Sequence, residues 1–390
     1  MIKRAGLILS LLWLVLGLSA QSTIRTGAER LDDYLPTLRG KSVAVCGNQT
    51  SMVGERHLVD TLLAYNVKIV KIFCPEHGFR GNAEAGAHIA SSVDVKTGIP
   101  IVSLYGKNKK PTPEQLKDVD IILFDLQDVG CRFYTYISTL HYVMEAAAES
   151  HVKVIVLDRP NPNGYFVDGP VLKPAFKSFV GMHPVPVVYG MTIGEYALMI
   201  NGEGWLANKA QCNLEVVTLE GYTHQTRYHL PVAPSPNLST DEAIYLYPSL
   251  CLFEGTNVSV GRGTNMPFLV YGAPQMRDGD CHFTPKPISG VSENPPHTGK
   301  VCTGFYLKDI ATANIAIGNT FNLEYLLKAY LLFEDKSHFF LGNNFFDKLA
   351  GNDQLRMQVT NGKSEEEIRA TWQEDLAQFM TIREKYLLYP

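Results

Sequence analysis

At 390 residues, 45% apolar and 19% charged, the chain has the balance of a globular protein and is too long for one small core, so two domains are expected. A net charge of −4 without a basic run excludes an electrostatic case for nucleic acid as partner. The seven cysteines are too scattered for a disulfide scaffold, and no Cys-x-x-Cys pair suggests zinc.

Residues 1–20 read as a secretory signal peptide. Lys3 and Arg4 precede an uncharged run from Ala5 to Leu18, and small residues end at Ala20. The run is shorter than the ~20 residues that span a bilayer. The mature chain is therefore expected to start near Gln21, periplasmic or secreted, without a membrane partner after cleavage.

Over 42–157, short apolar runs alternate with helical patterns. Residues 42–46, 67–73, 101–104, 121–124 and 152–157 read as buried strands, and 57–66, 112–116 and the alanine-rich 138–150 as helices. This alternation predicts a Rossmann-like α/β domain, a parallel sheet covered on both faces. The first strand–helix turn, beginning Gly47-Asn48-Gln49-Thr50-Ser51, lacks G-x-G-x-x-G, and no G-x-x-x-x-G-K-[ST] occurs. A nucleotide-binding reading does not follow, and no cofactor is expected.

Beyond Gly164 the pattern loosens. Thr192 and Glu195 have capping-box spacing, 214–219 is strand-like, and 231–237 is a proline-rich rigid connector. Leu250-Cys251-Leu252-Phe253 reads as a strand whose end loop is Glu254-Gly255-Thr256-Asn257-Val258-Ser259-Val260-Gly261-Arg262-Gly263-Thr264. The boundary is placed just after it, with the catalytic domain at 21–265 and a smaller α+β auxiliary domain at 266–390. The latter is expected to hold a strand at 301–308 and helices at 322–333 and 364–375, the last opened by a Ser364/Glu367 capping box.

The chemically loaded loops all fall at C-terminal strand ends, which share one edge of an open parallel sheet, where ligands bind. Asn48 and Gln49 follow the first strand. Glu76, His77 and Arg80 follow the second, Asp125, Gln127, Asp128, Arg132 and Tyr134 the fourth, and Asp158, Arg159, Asn161 and Asn163 the fifth. Glu76, desolvated by Phe73, Pro75 and Phe79, has the setting of a general acid with a raised pKa, and His77 would orient the site. Asp128, Asp125 and Glu254 are the candidates for a second carboxylate. The structural alternatives are that Asp125 or Asp128 caps its loop or pairs with Arg132, that Asp158 pairs with Arg159, and that Glu254 pairs with Arg262. Asn161 and Asn163 flank Pro162 as a rigid display of amides for ligand hydroxyls. A metal held by His77, His88, Asp125 and Asp128 lacks any known ligand spacing, so no metal is assigned.

In this order, Asn48-Gln49-Thr50, Pro75-Glu76-His77-Gly78-x-Arg80-Gly81, Asp125-x-Gln127-Asp128-x-Gly130-x-Arg132-x-Tyr134, Asp158-Arg159-Pro160-Asn161-Pro162 and Glu254-Gly255-Thr256-Asn257-x-Ser259-x-Gly261-Arg262-Gly263-Thr264 resemble the exo-β-N-acetylmuramidases of the NamZ type, glycoside hydrolase family 171. The resemblance covers nearly the whole mature chain. It implies a Rossmann-like catalytic domain, an auxiliary C-terminal domain with the cleft between them, and release of N-acetylmuramic acid from the non-reducing end of peptidoglycan fragments. The family's glutamate after the second strand falls on Glu76.

Glycoside hydrolysis needs an acid for the leaving oxygen and a second group at the anomeric centre, which Asp128, Asp125, Glu254 or the sugar's own acetamido group would supply. The lactyl carboxylate of muramic acid calls for a cation, from among Arg80, Arg132, Arg159 and Arg262. Asn257 completes the candidate binding residues. The rival classes are a non-catalytic cell-wall glycan-binding protein and a metal-dependent hydrolase or deacetylase of cell-wall sugars.

Overall fold

A computed structural model describes residues 24–76, 78–80, 92–317 and 320–390. The expected signal peptide, His77, Gly81 and His88 lie outside the described residues.

The strands of the N-terminal part are β1 (Ser42–Gly47), β2 (Met52–Val53), β3 (Arg56–His57), β4 (Lys68–Cys74), β5 (Ser92–Val93), β6 (Pro100–Ser103), β7 (Ile121–Asp125), β8 (Lys153–Leu157) and β9 (Leu214–Val217). β2 and β3 form a small separate hairpin. The others make one sheet in the order β5-β6-β4-β1-β7-β8-β9, parallel except for the antiparallel edge pair β5–β6. The chain runs from β1 outward through β4 to β6, then crosses to the other side of β1 for β7, β8 and β9. The order therefore reverses between β1 and β7, and it is outside the C-terminal ends of strands at such a reversal that α/β sheets bind ligands.

The alternation of strand side chains explains the layers. Val43, Val45, Ile72, Ile121, Leu123, Ile155 and Leu157 face one side, where Tyr34 and Leu38 of the Leu31–Leu38 helix and Leu58 and Leu62 of the Leu58–Ala64 helix cover them. Ala44, Cys46, Phe73, Ile122, Phe124, Val154 and Val156 face the other, under the Tyr136–Glu149 and Ile193–Gly202 helices. This second core runs on without a break into the C-terminal half, to Phe253, Tyr271, Phe346 and Trp372. Both predicted capping boxes are present, Thr192/Glu195 and Ser364/Glu367.

The C-terminal part has three antiparallel strands, β10 (Val270–Ala273), β11 (Cys281–Phe283) and β12 (Cys302–Tyr306), in the order β10-β12-β11, surrounded by short helices. The fold class is thus as expected, α/β with a smaller mixed C-terminal region. Two elements differ: the helix expected at 364–375 ends at Ala370 and a separate one runs over Gln373–Arg383, and the run at 250–253 changes type. Residues 250–253 are not a strand: a helix over Asp241–Leu250, capped by the Thr240 side chain, continues as a 3-10 turn over Cys251–Gly255. Four consecutive apolar residues have no period to separate a buried helix end from a buried strand. All seven cysteines are free, six of them buried. Among the described residues no helix is long and apolar enough to cross a membrane.

Candidate active site

β4 carries Phe73 and Cys74 fully buried, and the chain turns out of the sheet at Pro75 to leave Glu76 at the rim. Gly78 then adopts a positive φ of 78°. Glu76 accepts a hydrogen bond from Tyr105, which stands just past β6. Burial raises the pKa of Glu76; the Tyr105 bond and Arg262 oppose the rise, and the negative charge of Glu254 adds to it. Burial together with Glu76 pushes Tyr105 up to about 12.

Glu76, Tyr105, Glu254, Arg262 and Phe345 form the shared wall of two adjoining chambers. One, of about 290 Å³, is aromatic, with Phe133, Tyr134, Tyr136, Phe179, Tyr247 and Phe268 around Ser235 and Asn237. The other, of about 520 Å³, is bounded by Asn257, Pro296, His297 and Leu341. One cleft therefore joins the sheet's C-terminal edge to the C-terminal half of the chain, with Glu76 between its two parts.

The floor of the aromatic chamber is assembled by the first motif. Asn48, with no exposure, donates through Nδ2 to the Tyr136 hydroxyl at 2.7 Å, while its Oδ1 accepts from the Thr50 backbone and hydroxyl at 2.9 and 2.6 Å. Tyr134 donates to the Pro234 carbonyl at 2.9 Å and Tyr136 at 3.3 Å, and Gln49 reaches the Ala233 and Pro234 carbonyls at 3.2 and 3.3 Å. Gln127 ties the Asp128 and Pro160 carbonyls together at 2.8 and 2.7 Å. Gln49, Tyr134 and Tyr136 fasten the 231–237 connector across the sheet edge, where it delivers Ser235 and Asn237 to the chamber. The Asn237 amide donates to the Val291 carbonyl at 3.1 Å, which fixes its orientation and leaves Oδ1 buried without a partner among the described residues.

Glu254 and Arg262 form the ion pair that was the structural alternative for Glu254. Nε and Nη2 of Arg262 both approach Oε1 of Glu254, at 2.6 and 2.5 Å. Asn257 lines the larger chamber, but its side-chain amide donates to the His338 carbonyl at 2.6 Å and its own carbonyl holds His297 at 2.9 Å.

Several predicted site residues are placed elsewhere. Arg80 turns away from the cleft, with Nε and Nη2 each 2.8 Å from Asp94 and further bonds to Asp60. Arg132 has no exposure, and its guanidinium donates to the carbonyls of Pro170, Val185, Leu349 and Ala350 at 2.7 to 2.9 Å. Asp125 takes Arg159 at 2.5 and 2.9 Å, so Arg159 is paired with Asp125 rather than with the Asp158 side chain. Asp158 accepts from the Thr192 and Tyr389 hydroxyls and from the Arg159 and Gly194 backbone. Asn161 and Asn163 are buried, and their amides donate to the Met191 and Val129 carbonyls at 2.8 and 3.0 Å, so they brace backbone, and neither lines the cleft beside Glu76. Asp128 caps its own loop through the Gly130 amide at 2.7 Å, accepts a short bond from Tyr189, and is pushed up to about 6 by burial; it is not part of either chamber wall. Arg132 pairs with neither Asp125 nor Asp128.

Tyr105, Asn237, His297 and Phe345 are among the cleft residues the sequence reading passed over, as are the aromatic residues Phe133, Phe179, Tyr247 and Phe268. Tyr105 had a signal, because it follows the third strand as the other loops follow theirs. His297 and Phe345 lie far along the chain with no motif around them. Among the described residues no group of three His, Cys, Asp or Glu side chains is arranged to hold a metal ion.

Two family models match, exo-β-N-acetylmuramidase NamZ, N-terminal, over residues 43–242 and exo-β-N-acetylmuramidase NamZ, C-terminal, over 245–389. The chain belongs to the exo-β-N-acetylmuramidase NamZ family. It is 40% identical to the peptidoglycan β-N-acetylmuramidase NamZ of Bacillus subtilis (strain 168), over 94% of this chain and 91% of that one. Two crystal structures of DUF1343 family proteins from Bacteroides fragilis are also similar: one at 47% identity and a TM-score of 0.87, the other at 30% and 0.76. Each covers 94% of this chain and 99% of its own. In family terms the cleft lies where residues matched by the N-terminal model, Glu76 and Tyr105, meet residues matched by the C-terminal one, Glu254, Arg262 and Phe345.

Proposed function

We propose that this protein is an exported exo-β-N-acetylmuramidase that releases terminal N-acetylmuramic acid from the non-reducing end of peptidoglycan fragments, with Glu76 as its general acid. The observation that carries the reading is the setting of Glu76, a carboxyl with a raised pKa between an aromatic chamber and a second, larger one. An acid that must arrive protonated and leave its proton on a glycosidic oxygen requires that setting. Aromatic rings suit the apolar faces of a pyranose, and the unpartnered Asn237 Oδ1 suits an acetamido N–H. The activity named for the Bacillus subtilis relative agrees with this chemistry.

In the proposed reaction Glu76 protonates the leaving oxygen as its bond to the anomeric carbon breaks, and water supplies the hydroxyl that ends on that carbon, its remaining proton passing to a carboxylate, so that the sugar leaves free. Of the three carboxylates considered for the second role, Glu254 shares the cleft with Glu76, and Asp125 and Asp128 do not. Export rests on the pattern of residues 1–20, and sequencing the protein from cell fractions should find a mature N-terminus at Gln21.

The activity is tested with two substrates of N-acetylmuramic acid, its β-linked disaccharide with N-acetylglucosamine and its p-nitrophenyl β-glycoside. The wild type should cleave both. Glu76→Gln should lose far more rate on the disaccharide than on the nitrophenyl glycoside, whose leaving group departs without a proton. Equal losses on both would remove Glu76 from the acid role, and no cleavage of either by the wild type would overturn the glycosidase reading.

A further inference from the structure

The four arginines adjoining the motifs differ in what their guanidiniums still have to offer. Arg80 is taken up by Asp60 and Asp94, Arg132 by four carbonyls, and Arg159 by Asp125 and the Met52 carbonyl at 3.1 Å. None of these three lines the cleft. Arg262 lines both chambers beside Glu76. Its Nε and Nη2 are committed to a single oxygen of Glu254, and its Nη1 has no hydrogen-bond partner among the described residues.

The position is built to hold that geometry. Arg262 stands between Gly261 and Gly263, both at φ +78°, and a Cβ on either would lie 2.5 Å from its nearest neighbour, the Met266 carbonyl oxygen or the Pro295 ring. The Ser259 hydroxyl accepts from the Gly261 amide at 3.1 Å, and the Thr264 hydroxyl donates to the Gly261 carbonyl at 2.6 Å. The guanidinium lies 5.2 Å from the centre of the Phe268 ring. With Glu254 on one edge and Phe268 against it, the guanidinium keeps its Nη1–Nη2 edge as a fork for a planar anion.

We propose that Arg262 selects muramic acid, its Nη1–Nη2 edge receiving the free lactyl carboxylate of the sugar bound beside Glu76. This rests on the glycosidase reading above. N-acetylglucosamine and N-acetylmuramic acid differ only by the lactyl ether, so a site that tells them apart must read that group. A charged fork left without its anion in a partly buried cleft is also a reason to bind the neutral sugar poorly.

The test compares kcat/KM on three p-nitrophenyl β-glycosides, those of N-acetylmuramic acid, of its lactyl methyl ester and of N-acetylglucosamine. The wild type should prefer the free acid over the ester by about 10- to 100-fold, the range for hydrogen bonds to a charged group. Arg262→Met should cleave acid and ester equally well, and Arg262→Lys, with charge but no fork, should fall between. If Arg262→Met does not fold, the wild-type comparison of acid with ester decides by itself. Cleavage of acid and ester at equal rates by the wild type, or an undiminished preference in Arg262→Met, overturns the assignment while the glycosidase reading stands. No cleavage of any of the three by the wild type overturns both.

Discussion

The hydroxyl of Tyr389 donates to the carboxylate of Asp158 at 2.6 Å and accepts from the Leu219 amide at 2.9 Å, tying a C-terminal residue to the end of β8. Asp158 has no exposure, and its other acceptor sites are filled by Thr192, Gly194 and Arg159. A carboxylate so occupied serves the joint between the two halves of the chain. Tyr389→Phe removes one donor from a buried carboxylate and strands a backbone amide, so it should destabilise by about 1–3 kcal/mol. Urea unfolding reads this directly, and a change within the few tenths of a kcal/mol typical of surface substitutions would show that the clasp contributes nothing.

Asp158 also makes stability depend on pH. Burial raises its pKa from the ordinary 3.8 to about 7, against the opposing bonds from Tyr389 and Thr192. A carboxyl that holds its proton more tightly folded than unfolded stabilises fully below the unfolded value, and that contribution is lost as pH rises toward the folded one. Unfolding free energy should therefore lose this contribution between pH 3.8 and about 7, and Asp158→Asn should flatten the profile in that window. Parallel profiles for the two proteins would show that Asp158 does not titrate there. Asp128, pushed up to about 6 for the same reason, adds a contribution of the same sign up to that pH.

Arg132 should behave as a structural cation. Removing its guanidinium takes the Arg132 donors from the carbonyls of Pro170, Leu349 and Ala350 and one of two donors from that of Val185, which also accepts from the Leu172 amide at 3.1 Å, and each bare buried carbonyl costs about 1–3 kcal/mol. Arg132→Met should therefore unfold the chain or lower its stability by at least about 3 kcal/mol. Arg132→Lys should lower it less and leave KM for the muramic substrate unchanged in the folded fraction. A raised KM in a stable Arg132→Lys protein would return Arg132 to the substrate.

The sheet was legible because each strand from β1 to β8, apart from the two-residue β2, β3 and β5, is a short apolar run bounded by turn residues, a pattern set by burial on both faces. The convergence of loops on one edge followed from topology, and Glu76 followed from that edge. What the sequence could not separate was the polar residues of those loops that face the cleft from those that brace it. Asp158, Asn161 and Arg132 have the same composition as ligand-binding residues, and only the third dimension shows that Tyr389, Met191 and Leu349, remote in sequence, already occupy them. Loops that leave a sheet edge expose backbone polar groups that need partners, so polar residues gather there for structural as well as catalytic reasons. Arg262 was one of four equal candidates by sequence, and the unclaimed edge that sets it apart depends on Glu254, Phe268 and two glycines meeting in space.

The pH dependence of turnover tests the neighbours of Glu76. With Glu76 as the acid, activity falls on the alkaline side as it loses its proton, so that limb reports its pKa. Burial raises this pKa above the ordinary 4.5, the Tyr105 hydrogen bond and the Arg262 charge lower it, and the Glu254 charge raises it. Tyr105→Phe removes a bond that favours the ionised carboxylate, so the alkaline limb should move to higher pH. Glu254→Gln removes a like charge, so the limb should move to lower pH in whatever activity remains. Profiles of kcat/KM for the wild type and both variants decide the point, since opposite displacements follow only if the group titrating on that limb lies between Tyr105 and Glu254. Displacement of both variants in one direction, or of neither, would assign the limb to another residue and take the proton away from Glu76.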